Sequence, residues 1–130
     1  TFRRTDPLYV VDLSQPTQPV VRGELKIPGY SAYLHPVGED LLLGIGQDAD
    51  DTGRVKGAQA SLFDVSDPAR PARLSAVSLG GRWSEVESDH KAFLYWGPSR
   101  LAVVPVAGEN GSYSYSSRGI GLKIGRASGV

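Results

Sequence analysis

The 130-residue sequence contains no cysteine and no methionine. Without cysteine there is neither a disulfide framework nor a thiolate metal site. Without methionine the chain does not open on an initiator residue, and both ends, "TFRRTDPLYVVD" and "GLKIGRASGV", read as cut from something longer. Net charge is missing too, because 14 basic residues balance 14 acidic ones. That excludes the basic field that binds nucleic acid and the acidic run that makes a solvating tail. The longest apolar run, "LLLGIG", is far too short to span a membrane. No signal peptide is visible, although a fragment would have lost one. An i, i+3, i+4, i+7 apolar pattern never persists for three turns, so no helix of consequence is expected.

Glycine and proline are present in quantity, 16 and 9 residues. Together they favour many turns and short strands in one small domain. The stretch "YVVDLSQPTQPVV" (9–21) recurs as "LFDVSDPARPARL" (62–74), at an offset of 52 (64 − 12). A second correspondence sets Ala32–His35 against Ala92–Tyr95 and Leu41–Leu43 against Leu101–Val103, at an offset of 60 (92 − 32). A repeat of this size fits a propeller blade, which holds four strands in roughly 40–50 residues.

Each unit parses in the same way. Leu8–Val11 and Ser61–Phe63 read as strands. The S-x-P-x-x-P that follows is a turn, since proline lacks the amide a central strand needs. Return strands run over 20–27 and 74–79, a third over 32–35 and a fourth over 41–46. The fold class is therefore all-β, with antiparallel four-stranded blades making about two to two and a half blades of a β-propeller. The chain divides into a half blade (1–29), a blade (30–81) and a further blade (82–130). Open edges and uncovered faces point to further blades in a longer parent, or to self-association. A free-standing β-sandwich is the rival, but it needs no internal sequence period.

The phrase V-x-D-x-S-x-P-x-x-P, with "IPGYSAYLHPVGEDLLLGIG" and "ASLFDVSDPARPARL", resembles the secreted bacterial β-propeller proteins, distant kin of WD-repeat proteins. The resemblance covers nearly the whole chain. It implies a propeller, a secreted or cell-envelope location, and further blades upstream. It implies no catalytic activity. The Ser/Tyr/Gly tract at 111–117 departs from the blade pattern and reads as a variable loop.

Candidate sites lie where the sequence does not repeat. In "DADDTG", Asp48, Asp50 and Thr52 stand at i, i+2 and i+4 before Gly53. Such alternating oxygens can wrap calcium, a hard ion taking six to eight oxygen ligands. The twelfth loop position is Gln59 rather than glutamate, so the full EF-hand signature fails, although Asp51 could supply a carboxylate. A solvated loop joining two strands is the simpler reading. Asp51-Thr52-Gly53 is not an aspartic protease motif, for it lacks an apolar strand before it and a second copy.

"WSEVESDHKAF" gathers Glu85, Glu87, Asp89 and His90, with the three carboxylates at strand period on one face. A metal or acid–base site is one reading, and a structural bond into a neighbouring turn is the stronger one. His35 reads as a strand-end residue. Asp12 and Asp64, at the same place in each unit, read as repeated bonds to turn amides. Nucleophile motifs and phosphate loops are absent. Trp83, Trp96 and the six tyrosines read first as packing and second as a binding face.

The function expected is a non-catalytic, extracytoplasmic binding or interaction scaffold for a protein or carbohydrate ligand, with calcium as an optional stabiliser. The alternative is part of a propeller enzyme of hydrolase or lyase type. Its site would lie at the central channel, with Glu85, Glu87, Asp89 and His90 as the local contribution.

Overall fold

The computed structural model describes residues 7–108 and 117–125. Ten strands appear there: β1 (Leu8–Asp12), β2 (Val20–Leu25), β3 (Tyr30–Pro36), β4 (Leu41–Ala49), β5 (Val55–Asp64), β6 (Ala72–Ser78), β7 (Trp83–Ser84), β8 (Leu94–Trp96), β9 (Leu101–Ala107) and β10 (Ser117–Lys123). The fold is all-β and every pairing is antiparallel. β1 and β2 form a two-stranded sheet, and β3-β4-β5-β6 is a four-stranded meander. The last sheet runs β10-β9, with β7 and β8 both on the far edge of β9. The serine- and tyrosine-rich tract lies, apart from Ser117, outside the described residues.

The repeat is reproduced down to its hydrogen bonds. Asp12 Oδ1 accepts from the Ser14 amide at 2.8 Å, and Asp64 Oδ1 accepts from the Ser66 amide at 2.9 Å. Just beyond, the Gln18 amide donates to the Gln15 carbonyl and the Arg70 amide to the Asp67 carbonyl. Both turns carry proline at their second position, where its fixed φ suits a type I or II turn. Even the irregularity recurs. Arg22 bulges from β2 opposite Val10 and Val11, and Leu74 bulges from β6 opposite Leu62 and Phe63. A bulge adds one unpaired residue and re-aims its side chain.

Three layers stack. Leu43 and Ile45 of β4, with Ala58, Ala60 and Leu62 of β5, form one wall of the core. Ala102, Val104, Val106 and Leu122 of the last sheet, with Val86 from the segment just after β7, form the other. The opposite face of the middle sheet carries the small Gly44 and Gly46 and the buried Phe63, and the β1–β2 hairpin lies over it. At Gly46 an added Cβ would lie 1.9 Å from the Tyr30 carbonyl oxygen, so only glycine lets β3 cross there.

One expected correspondence needs correcting. In a regular stack, equivalent residues of successive sheets point the same way and never meet. Yet Tyr33 packs on Phe93, at 5.2 Å between ring centroids, and His35 on Tyr95, at 5.3 Å. The match of Ala32–His35 to Ala92–Tyr95 is therefore out of phase on the inner strand. His35 pairs with Leu43, whereas Tyr95 pairs with Ala102, and a one-residue slip turns every side chain to the other face. The break arises because two 3₁₀ turns, Glu85–Glu87 and His90–Ala92, interrupt the inner strand between β7 and β8. The expectation that Glu85, Glu87 and Asp89 line one face of a strand falls for the same reason.

Candidate functional site

The interrupted inner strand is also where the molecule concentrates its buried polar contacts. The sequence Ser84-Glu85-Val86-Glu87 is a capping box. The Ser84 hydroxyl accepts from the Val86 amide at 3.3 Å, and Glu87 Oε2 accepts from the Ser84 amide at 2.7 Å. The same hydroxyl donates to the Pro105 carbonyl at 2.6 Å, fastening the turn to β9. Between them Val86, 2% exposed, enters the core.

The other face of Glu87 meets the middle sheet. Gln47 continues the inward alternation of Leu43 and Ile45, and its Nε2 donates to Glu87 Oε1 and Oε2 at 2.9 and 2.8 Å. Nε2 also reaches the Arg82 carbonyl at 3.0 Å. The Tyr30 hydroxyl donates to Glu87 Oε1 at 3.4 Å. Glu87 is thus a bolt joining two sheets. Asp89 accepts from the Lys91 amide at 3.0 Å and caps the second 3₁₀ turn. Glu85 and His90 are exposed. Of the four acid–base candidates, Glu87 and Asp89 are therefore held in backbone capping, and all but the half-buried Glu87 stand at the surface.

Both histidines of the chain flank Tyr33. His90 stacks on its ring at 14° between planes, and His35 lies 6.1 Å from it with Nδ1 3.0 Å from the Tyr33 hydroxyl. Burial lowers the His35 pKa below its ordinary value, because desolvation disfavours the imidazolium. His35, next to the last residue of β3 as expected, is also part of an aromatic seam between the sheets.

Of the calcium candidates, Asp50 and Thr52 are brought into direct contact. Asp48 lies in β4, paired with Gly57 of β5. Asp50 Oδ1 accepts from the Thr52 amide at 2.9 Å, the Thr52 hydroxyl at 2.5 Å and the Arg54 amide at 2.9 Å. Those donors lower its pKa and tie the β4–β5 turn. Among the described residues, no group of three or more His, Asp or Glu side chains is placed to hold a metal.

Sequence reasoning missed Gln47 and Arg82. A polar residue at the inward end of an apolar alternation was the available signal for Gln47, and Ser84-x-x-Glu87 the signal for its partner.

Two archaeal relatives are similar to this chain. An uncharacterized protein of Archaeoglobus fulgidus is 46% identical over 127 residues, which are 98% of this chain and 19% of that protein. An uncharacterized protein of Methanocaldococcus jannaschii is 48% identical over 95 residues, 73% of this chain and 14% of that protein. The chain thus spans a fifth or less of the curated relatives it matches. No solved structure matches it. The family model for the beta propeller domain matches residues 1–129, and with stacked four-stranded antiparallel sheets behind that match, the chain belongs to the beta propeller domain family.

Proposed function

We propose that this chain is a non-catalytic propeller segment that serves as a binding or interaction scaffold outside the cytoplasm. The observation that carries the reading is Glu87. It is the half-buried carboxylate of the acid–base candidates, and it bonds Gln47, Tyr30 and its own capping serine. A general acid or base must instead present its proton to substrate. The location rests on the family resemblance alone.

Thermal unfolding of Glu87→Gln tests the scaffold reading. Active-site groups are often held at a cost in stability, so replacing one is commonly neutral or stabilising. A structural bolt behaves in the opposite way. Glu87→Gln sets two amides against each other and loses a charge-assisted bond, which should destabilise by about 1–3 kcal/mol. An unchanged or raised melting temperature would sink the reading.

A further inference from the structure

Where the two four-stranded sheets meet beside Gln47, a cleft of about 380 Å³ opens to solvent. This lies within the range of small-molecule sites, roughly 300–1,000 Å³. Its chemistry differs between floor and rim. Gln47, only 6% exposed, contributes to the lining, and its Oε1 is buried with no hydrogen-bond partner among the described residues. The orientation of that amide is fixed, because its Nε2 faces three acceptors. An unpaired buried carbonyl costs stability unless a donor reaches it.

The lining also includes two cations, Lys56 and Arg82, both exposed. Neither forms an ion pair among the described residues. Lys56 contributes a smaller charge effect on Asp50, which lies outside the lining. Among the described residues no carboxylate belongs to the lining, since Glu87 sits behind Gln47, bonded to Nε2. Tyr30 and Trp83 supply aromatic walls, Trp83 being 42% exposed.

The wall is also pre-organised. The Arg82 amide donates to the Ala107 and Gly108 carbonyls at 3.1 and 3.3 Å, while its carbonyl accepts from Gln47. Trp83 then pairs with Ala107 in β7. Both residues therefore stand on fixed backbone, which lowers the ordering cost of binding.

We propose that this cleft binds an acidic sugar. A ring hydroxyl would donate to Gln47 Oε1, the carboxylate would accept from Lys56 and Arg82, and an apolar ring face would lie on Trp83. A simple anion leaves Oε1 and the aromatic walls unused. A neutral sugar leaves the two cations unused. The inference rests on the binding-scaffold reading and names a ligand class for it.

The test is titration of the chain with glucuronate, glucose and acetate, each to ~50 mM, followed by tryptophan fluorescence and NMR shifts. Glucuronate should saturate with a millimolar Kd, and glucose and acetate should not. Trp83→Phe should remove the fluorescence response and Trp96→Phe should retain it. Lys56→Gln and Arg82→Gln, at exposed side chains, should each weaken binding several-fold, and the double variant by about tenfold or more, with unchanged circular dichroism. Equal responses to acetate or glucose, absence of saturation, or glucuronate binding unmoved in the double variant would overturn the assignment. Glu87→Gln remains a separate measurement. A destabilised Glu87→Gln beside a chain that ignores glucuronate would end the sugar assignment and leave the scaffold reading standing.

Discussion

At the scale of single residues, Asp12 and Asp64 show how one repeated position acquires two electrostatic settings. Each accepts the amide two residues on, and each has a lowered pKa. Only Asp12 also takes two bonds from Arg22, at 3.1 and 2.8 Å, because Arg22 is the bulged residue. The same bulge in the second unit presents Leu74. The Ser14 backbone bond first, and Arg22 next, bring Asp12 from 3.8 to about 2. A carboxylate with a folded pKa below its unfolded one stabilises the fold above the unfolded value, and that contribution is lost as pH falls through the folded value. Asp12→Asn should therefore melt below the parent at pH 7, with the gap closing between pH 3.8 and about 2. Melting curves across that range check it, and a gap that persists at pH 2 would show that charge is not the cause. The aspartate–turn bond was legible from the doubled phrase. The ion pair was not, because it depends on a bulge that alternation alone does not announce.

At the scale of elements, local rules located strands well and failed where capping took over. β4 and β5 extend further than their apolar cores suggested, to Ala49 and back to Val55. Their pairing carries on through Gln47–Ala58 and Asp48–Gly57, so cross-strand bonds replace apolar content as the cause of strand. Residues 85–92 have the opposite history. Period-2 acids suggested a strand, but Ser84 and Asp89 each offer a side-chain acceptor to the amide two residues on. Such local bonds compete with the sheet ladder, and here they win. The proline-stiffened turns also act beyond their own hairpins. An added Cβ on Gly23 of β2 would stand 2.2 Å from the Pro68 carbonyl oxygen and 2.7 Å from Pro71 Cδ. The turn of one unit thus seats the hairpin of the unit before it. Gly23→Ala should destabilise by about 1–3 kcal/mol through overpacking against stiff backbone. Urea unfolding would measure it, and a neutral result would mean that the hairpin is not clamped there.

At the scale of the whole molecule, stacking leaves two apolar faces bare. On the outer side of the hairpin, Tyr9, Val11 and Val21 are 52%, 44% and 60% exposed. On the outer side of the last sheet, Leu94 and Trp96 are 59% and 61% exposed, with Leu101 and the small Gly119 and Gly121 beside them. The core between β4, β5 and β9 shows what such faces do when they meet, for Leu43, Ile45, Ala60 and Val104 reach 0% exposure. The two bare faces lie at opposite ends of the stack and differ from each other, so they can meet only head to tail between copies. Such contacts are heterologous, closing into rings or growing as filaments. The isolated chain should therefore associate with itself as concentration rises, driven by apolar area rather than charge, since net charge is zero. Sedimentation velocity over a hundredfold range, ~1–100 µM, should show rising mass in the parent. It should show a monomer in Trp96→Glu, whose core-facing neighbours are untouched. A parent that stays monomeric throughout would mean that these faces need the chemistry of a different sheet to be covered.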